Sequence, residues 1–556
     1  MTTAYNTQTK SEEADAYLPA RKQLDFIITH LQKVQRMTLD SLEQFLDDEG
    51  REILRRLIQG FLDERGPGAV DEPVIDAENV KHTHRRLNTR TVTTTFGDVT
   101  VSRQGYSGCG LESLHPLDAE LNLSEPSYSH QLHREIADVV AQVSYDEVKA
   151  TIKKQTGVTV PKRQLEECVH RAAEDFESFY QQQRTATPRE VKATSEILAI
   201  TTDQKGIPMR KADLLKATRK AAEKRNPRLK HRRSKGEKPH RKRLSTVSAV
   251  YTIAPFVRTA EQIVGEMGPV HEVFPQRPQP EDKRVWASVK QPLDKIVIQA
   301  FDEAVRRDPQ LTKQWVALVD GDESQLKAMK QAAKKYGVSL VIILDIIHVL
   351  EYLWKAAFVF HKEGTPAAEC WVKERLARIL RGESSLVAAG MRRSATLNKL
   401  DEKQREPVDD CANYLLKYAD YLYYDQYLAK GYPIATGVIE GACRYVVKDR
   451  MEITGARWSL QGAEDVLRLR SLRASGDLDQ YWEFHLRQEY ERNHVKKYKD
   501  SRVPSVPPAA KGKQKAASLK LVKQKRTAKD DEKEQETRSY DSLETISLKK
   551  RDFRKR

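Results

Sequence analysis

The stretch Glu196-Ile-Leu-Ala-Ile-Thr-Thr-Asp203 is a short apolar, β-prone run that stops at an acidic residue. Trp315-Val-Ala-Leu-Val-Asp320 repeats this arrangement further along the chain. Short runs of this kind are typical of strands buried in a sheet. Because ligands of α/β sheets bind just beyond strand ends, both runs predict a carboxylate placed for binding or chemistry at the edge of a buried sheet.

Further strand and helix patterns surround these two runs. Strand-like stretches occur at 244–253, at 256–264 and at 337–344, the last ending at Asp345, and helical patterns cover 324–336, 349–430 and most of 436–473. Strands followed by strand–helix alternation predict an α/β fold with a mixed sheet covered by helices.

The N-terminal part has a different character. Residues 18–65 have helical periodicity, which Gly66-Pro67-Gly68 terminates. Residues 90–103 alternate β-branched residues around Gly97-Asp98 and predict a β-hairpin. Helical segments follow at 127–143, 145–156 and 161–182. Residues 144–165 within them fit either a DNA-reading helix-turn-helix or an ordinary helical linker, and the sequence leaves both interpretations open.

The charge of the chain points to a polyanionic partner. The 556 residues carry a net charge of +16, with a pI of about 9.3. This excess is clustered, since residues 210–243 hold 16 Lys or Arg against 3 acids. We expect this stretch to be a solvated loop that binds phosphates, with Arg228, Lys230, Arg232 and Arg233 at its centre.

Other classes of protein are disfavoured by the composition. No apolar run approaches the roughly 20 residues that span a bilayer, and no secretory signal is apparent at the N-terminus. The five cysteines are scattered without a CxxC pair, so a disulfide framework or structural zinc site is not expected. These features predict a cytoplasmic protein, associated with the nucleoid if it binds DNA.

A third acidic residue lies in Gly437-Val-Ile-Glu440-Gly-Ala-Cys-Arg444. Glu440 and Arg444 are four residues apart and could form a surface ion pair on a helix. The functional alternative rests on the basic residues beside Glu440, which would hold a phosphate backbone: Arg444, Lys448, Arg450 and Arg457. Trp458 would either stack on a splayed base or fill the core.

These motifs occur in an order that resembles a known family. Asp203-Gln-Lys-Gly, Asp320-Gly-Asp, Glu440-Gly-Ala-Cys-Arg and Thr454-Gly-Ala-Arg-Trp-Ser459 are similar to motifs of the DDE transposases of bacterial insertion sequences, in particular the ISKra group, which is related to Mutator-like elements. The resemblance covers roughly 195–475, and residues 85–182, with Phe96-Gly-Asp-Val-Thr-Val and Gly105-Tyr106, resemble the N-terminal part of the same group.

The resemblance implies an RNase H-like catalytic core with an all-helical insertion between the second Asp and the Glu. It implies that Asp203, Asp320 and Glu440 form a catalytic triad that holds two Mg²⁺ or Mn²⁺ ions. Lys205, Asp345 and His348 match family positions that would support the site, although a buried, hydrogen-bonded His348 is the simpler interpretation. The chain departs from the family at Gln204, where glycine is common.

The sequence therefore predicts a transposase that binds terminal inverted repeats and target DNA as a homodimer or higher oligomer. A metal-dependent nuclease or resolvase, and a non-catalytic DNA-binding derivative, are the alternatives. Asp322 and Glu323 are competing acids near the site. The expected divisions are an N-terminal helical region (1–84), a hairpin and helical DNA-binding region (85–190), the first part of the core (191–348), the insertion (349–430), the last part of the core (431–493) and a disordered basic tail (494–556).

Overall fold

The computed structural model describes residues 15–125, 127–185, 194–224, 240–266 and 276–508. The described chain forms two compact units, one made of the residues up to 127 together with those from 492 onward, and the other of Tyr128–Glu491. This division differs from the predicted one, because the hairpin and the helices between residues 130 and 185 belong to different units. None of the helices in these ranges is long and apolar enough to cross a membrane.

The first unit contains a pair of helices and a β-hairpin, as the sequence predicted. Its elements are α1 (Leu18–Lys33), α2 (Leu39–Arg65), β1 (Val74–Ile75), β2 (Lys81–His82), β3 (His84–Thr94), β4 (Gly97–Ser107) and α3 (Pro116–Glu120). The hairpin turn lies at Thr95 and Phe96, two residues before the predicted Gly97-Asp98, because Thr94 pairs with Gly97. The Thr94 hydroxyl closes this turn by donating to Gly97 O (2.9 Å) and accepting from Phe96 N (3.1 Å).

The predicted start of the basic tail at 494 is too early. Val495 and Tyr498 are buried, and Tyr498 packs in a small core with Val70 and Val74. These apolar residues are widely spaced among lysines, so composition did not reveal them. Residues 509–556, the rest of the predicted tail, lie outside the described part of the chain.

The second unit is built on a five-stranded mixed sheet. Its strands are β5 (Ile197–Pro208), β6 (Lys242–Ile253), β7 (Glu281–Ser288), β8 (Gln314–Val319) and β9 (Leu340–Leu344). Their order is β7-β6-β5-β8-β9. Strand β6 is antiparallel to both of its neighbours, β5 and β7, whereas β8 and β9 run parallel to β5. The predicted α/β class and mixed sheet are confirmed.

One predicted strand is wrong. The stretch 256–264 is irregular up to Thr259 and then forms most of helix α9 (Ala260–Gly265), which begins with a capping box between Thr259 and Gln262. The third strand of this sheet in chain order is instead β7, and the first half of β7, Glu281-Asp-Lys-Arg, is charged. Its Arg284 is buried against Glu303 (2.8 Å), and a buried ion pair of this kind gives no apolar signal in the sequence.

The helices of this unit share the core of the sheet, except for Lys216–Lys224, which has no buried residue. They are α4 (His130–Val140), α5 (Tyr145–Thr156), α6 (Lys162–Ala172), α7 (Phe176–Thr185), α8 (Lys216–Lys224), α10 (Leu293–Arg307), α11 (Glu323–Tyr336), α17 (Gly437–Ala442), α18 (Asp449–Met451), α19 (Leu460–Ser475) and α20 (Leu478–Asn493). The apolar faces of α5 and α6 lie in this core, while the outer face of α6 is exposed. The helix-turn-helix interpretation of this pair stays a prediction.

The segment between β9 and α17 is helical, as expected for 349–430. It consists of α12 (Ile346–Phe360), α13 (Pro366–Leu380), α14 (Ser384–Leu397), α15 (Glu402–Lys417) and α16 (Tyr424–Ala429). Tyrosines of this segment reach back to the sheet, where Tyr424 donates to Leu344 O at 2.7 Å. The helices therefore support the strand ends from which the candidate site is built.

Candidate functional site

Three aspartates lie in one row across neighbouring parallel strands. The register pairs Thr201 of β5 with Leu318 of β8, and Val319 of β8 with Leu344 of β9. Continued to the next positions, this register aligns Asp203, Asp320 and Asp345. Since neighbouring strands are about 4.8 Å apart, the three residues are adjacent along one edge of the sheet.

The sequence predicted that Asp203 ends its strand, but the structure places it within the strand. Strand β5 continues to Pro208 because β6 pairs with it past the point where β8 stops, and Asp203 lies opposite Val247 in that ladder. Asp320 and Asp345 do follow directly on β8 and β9. The acidic row thus begins where the parallel part of the sheet ends.

Electrostatic coupling joins Glu440 to this row. Burial raises the pKa of Asp320, and the nearby charge of Asp203 raises it further, although the Asp322 N–H donates to Oδ1 at 2.9 Å and His348 opposes the shift. Partial burial also raises the pKa of the otherwise exposed Glu440, and the charges of Asp345 and Asp203 add to this effect. Asp203 therefore acts on both other members of the predicted triad, which come from distant parts of the sequence.

Glu440 lies on the short helix α17, which continues directly into a π-helical turn, Cys443–Lys448. The wider π-helical repeat changes the angular spacing of the side chains that follow Glu440. In the described structure Arg444 lies 3.7 Å from Asp449, so its ion-pair partner is Asp449 rather than Glu440.

Asp345 has a structural role. It is fully buried, caps α12 by accepting from Ile347 N (3.1 Å), and accepts from both the backbone N (3.1 Å) and the hydroxyl of Thr436. Thr436 directly precedes α17. Asp345 therefore ties the start of the helix that carries Glu440 to the end of β9.

His348 is half-exposed, so the interpretation of a buried histidine is wrong. Its Nε2 lies 3.9 Å from Asp345 Oδ2 and its Nδ1 lies 3.7 Å from Glu351 Oε2. It lines a cleft of about 560 Å³ together with Asp320, Tyr352 and Lys355. His348 therefore lies between Asp345 and Glu351 and lines this cleft beside Asp320.

Cys443 was not identified from the sequence. Its Sγ lies 3.1 Å from Asp203 Oδ2, and burial raises the pKa of the thiol well above its ordinary value, with the Asp203 charge adding to the effect. Lys205 is half-buried on the same strand as Asp203, and its positive charge opposes this rise by lowering the pKa of the Cys443 thiol. The contact between Cys443 and Asp203 could be found only from the tertiary structure, because the two residues are 240 positions apart in the sequence.

The turn after β8 is held by the helical segment. Tyr414 donates to Asp320 O (3.0 Å) and Tyr418 to Gly321 O (2.5 Å). Gly321 has φ +92°, and a Cβ there would lie 3.1 Å from the Tyr414 hydroxyl, so glycine is required by both conformation and space. These contacts fix the position from which Asp320 projects.

The two competing acids near Asp320 have other partners. Asp322 caps α11 by accepting from Ser324 N (2.8 Å) and Gln325 N (3.1 Å), and the hydrogen bonding at Ser324 lowers its pKa. Glu323 is exposed and pairs with Lys417. Gln325, with its amide nitrogen turned to the sheet, donates to Thr202 O and Asp320 Oδ1, both at 3.3 Å.

Among the predicted DNA-binding residues, Arg450 and Trp458 are structural. Arg450 is buried, donates to Val140 O (3.0 Å) and lies 4.8 Å from the centre of the Trp458 ring. Trp458 is also buried and donates to Met451 O (3.0 Å), so it fills the core. The Trp458 ring therefore packs against the Arg450 guanidinium, which the sequence had predicted would contact DNA.

The other predicted phosphate contacts are exposed or outside the described residues. Arg444, Lys448 and Arg457 have exposed side chains in the segment that follows Glu440. The centre of the basic stretch, 225–239, lies outside the described part of the chain, and with it Arg228, Lys230, Arg232 and Arg233. The described surface therefore retains three of the predicted cationic contacts.

The donor chemistry of the acidic cluster suits a hard divalent cation, since Mg²⁺ and Mn²⁺ prefer carboxylate oxygens. Within the described ranges, however, no group of three or more His, Cys, Asp or Glu side chains lies close enough together to hold a metal ion. No protein-family model matches the chain, and no curated protein matches it significantly.

Proposed function

We propose that the protein is a DDE-type DNA transposase with an RNase H-like core, and that Asp203, Asp320 and Glu440 are its metal-binding acids. The observation that carries the proposal is the register that aligns Asp203 with Asp320, together with the action of the Asp203 charge on Glu440. The sheet order β7-β6-β5-β8-β9, with three antiparallel strands followed by two parallel ones, supports the RNase H-like interpretation.

The clustering of like charges favours a cationic ligand. The charge of Asp203 contributes to the raised pKa of both Asp320 and Glu440, and a bound cation would relieve this repulsion. Bound Mg²⁺ or Mn²⁺ would activate water or a 3′-hydroxyl and stabilise the leaving oxygen in phosphodiester chemistry. The three acids would hold the ions only after their side chains move closer together, since they are not gathered tightly enough as they stand in the described structure.

The chain's own residues prepare this chemistry. The Cys443 thiol orients Asp203, and the turn anchored by Tyr414 positions Asp320. The exposed Arg444, Lys448 and Arg457 would bind the phosphates of double-stranded DNA close to Glu440. Glu440 and the cations that would bind DNA thus lie in neighbouring segments of the last part of the core.

The test uses the full chain, DNA from either side of the coding region as transposon ends, and a supercoiled plasmid as target. With Mg²⁺ or Mn²⁺ we expect cleavage at the ends and joining to the plasmid. Cleavage and joining should both be lost in each of three variants, Asp203→Asn, Asp320→Asn and Glu440→Gln. Each variant should also bind Mn²⁺ more weakly, as measured by electron paramagnetic resonance. The matched control is Asp294→Asn, an exposed acid on α10.

The outcomes separate the competing functions. End cleavage without joined product would favour a nuclease or resolvase of the same fold. DNA binding without any cleavage would favour a non-catalytic DNA-binding protein. Activity that survives in the Asp203→Asn or Asp320→Asn variant would refute the assignment of the site.

A further inference from the structure

Helix α11 begins with a sequence pattern that usually caps a helix. Asp322 is its N-cap residue, and Gln325 is the third residue of the helix. In a capping box, a glutamine at this third position accepts a hydrogen bond from the backbone N–H of the N-cap residue. The pattern alone would therefore fold the Gln325 side chain back onto the start of its own helix.

Two other helices of the same unit, α9 and α15, have this pattern and form the capping box. In α15 the side-chain oxygen of Gln404 accepts from Asp401 N at 3.1 Å. In α11 the corresponding N–H, that of Asp322, donates instead to Asp320 Oδ1 at 2.9 Å. Asp320 thus takes the place that Gln325 would have in a capping box.

The Gln325 side chain is buried and contacts two neighbouring strands. Its amide nitrogen donates to Thr202 O of β5 and to Asp320 Oδ1 at the end of β8, both at 3.3 Å. Thr202 lies one residue beyond the last pair of the β5–β8 ladder and directly precedes Asp203. One side chain therefore joins the two strands at the point where their ladder ends and where each of them presents an acid.

The chemistry of these two contacts requires an amide. Thr202 O and Asp320 Oδ1 are both acceptors, and a side-chain NH₂ group has two hydrogens, one for each of them. A glutamate at position 325 would place its carboxylate against a carbonyl oxygen and a second carboxylate. A methionine would leave both acceptors without this donor. The length of the Gln325 side chain and its amide group are therefore both used.

Gln325 also affects which oxygen of Asp320 is left for a ligand. Within the described residues, the hydrogen bonds to this carboxylate come from Asp322 N and from the Gln325 amide, and both end on Oδ1. Two donors on one oxygen restrict the rotation of the carboxylate group. Oδ2 is therefore the oxygen of Asp320 that a cation would bind.

We propose that Gln325 is a positioning residue of the candidate site, which holds Asp320 beside the segment of β5 that carries Asp203. This inference rests on the proposed function, because it takes Asp203 and Asp320 as ligands of the same cations. The acids must move closer together to hold an ion. A side chain that already links their two strands lowers the cost of gathering them.

The link between Gln325 and Asp320 is tested without metal by a double-mutant cycle in the full chain. All six tryptophans lie in the second unit, so their fluorescence during urea unfolding reports on the unit that contains Gln325. Gln325→Met should raise the equilibrium constant for unfolding at least about fivefold, since Thr202 O loses its donor. In the Asp320→Ala background this increase should be smaller by about threefold or more, because one of the two acceptors is already absent.

The effect on the site is tested by Mn²⁺ titration followed by electron paramagnetic resonance. Gln325→Met should bind Mn²⁺ roughly tenfold more weakly than the natural chain, as expected for the loss of a partner that orients a metal ligand. Gln325→Asn, whose amide is one methylene shorter, should show the same loss. The matched control is Gln404→Met, which breaks the capping box of α15 and destabilises a helix start, but should leave Mn²⁺ binding unchanged.

The outcomes distinguish this role from the proposed function. Additive effects of Gln325→Met and Asp320→Ala on unfolding would overturn the positioning role. So would Mn²⁺ binding by the natural chain that both Gln325 variants leave unchanged, or an equal loss of Mn²⁺ binding in Gln404→Met. A natural chain that binds no Mn²⁺ would refute the proposed function, and the positioning role with it.

Discussion

Cys443 and Asp203 are joined by a hydrogen bond between a buried thiol and a carboxylate, with Sγ 3.1 Å from Oδ2. Burial raises the pKa of the thiol well above neutrality, so Cys443 remains an S–H donor under ordinary conditions. Cys443 follows Glu440 by one helical turn. The bond therefore links the helix that carries one acid of the candidate site to the strand that carries another.

We expect Cys443→Ala to weaken Mn²⁺ binding by roughly tenfold, because partners that orient a metal ligand commonly contribute 10–100-fold in affinity. Cys443→Ser retains a donor and should bind Mn²⁺ within about threefold of the natural chain. Titration followed by electron paramagnetic resonance measures both. Equal losses in the two variants, with unchanged thermal stability, would show that the thiol packs beside Asp203 without orienting it.

Asp320→Asn and Asp345→Ala should have opposite effects on stability, because the first removes only a charge whereas the second removes a hydrogen-bond acceptor. Burial raises the pKa of Asp320, so its charged form is less stable in the folded chain than in the unfolded one above its ordinary pKa. Asp320→Asn should therefore leave the free energy of unfolding unchanged or raise it by up to about 1 kcal/mol. Asp345→Ala leaves the Thr436 hydroxyl and amide without an acceptor and should lower it by about 2–4 kcal/mol.

Urea unfolding followed by tryptophan fluorescence tests this contrast, since Trp315 is buried in β8, the strand that Asp320 follows. Metal-free buffer is required, because a bound cation would reverse the sign for Asp320. A large loss of stability in Asp320→Asn would mean that Asp320 belongs to the structure rather than to a ligand site.

The stability of the chain should fall in mild acid because of His133. Burial lowers the pKa of this histidine to about 3, so it stays neutral in the folded chain while the unfolded chain protonates it below about 6.5. The unfolded state then binds the additional proton, and the free energy of unfolding should fall by about 2 kcal/mol between pH 6.5 and pH 5. Denaturation at several pH values should show a weaker pH dependence in His133→Leu. An identical dependence in the variant would assign the effect to other groups.

Arg450 and Arg444 should separate folding from DNA binding. Arg450 is buried against Trp458, so Arg450→Ala should lower the melting temperature by several degrees. Arg444→Ala removes an exposed cation and should leave stability unchanged while reducing the slope of log affinity against log salt by about 0.9 on duplex DNA. Fluorescence anisotropy at several salt concentrations measures the slope. The idea fails if Arg444→Ala changes neither the affinity nor the slope.

Local patterns were enough to identify most of the elements. The apolar runs before Asp203 and Asp320 form neighbouring parallel strands, and the periodicity of 349–430 forms five helices. Strand β7 was missed because its buried Arg284 is satisfied by Glu303, a partner that only the folded chain supplies. The stretch 256–264 has the hydrophobicity of a strand, but the capping box at Thr259 favours a helix.

The sequence by itself determined the α/β class, the strands that precede Asp203 and Asp320, and the helical character of the segment before Glu440, because these depend on the periodicity of adjacent residues. Only the tertiary structure decided that Asp203 aligns with Asp320, that Asp345 and Trp458 are buried, and that Cys443 contacts Asp203. Register, burial and hydrogen-bond partners depend on which distant segments pack together, and that choice is made by the whole core.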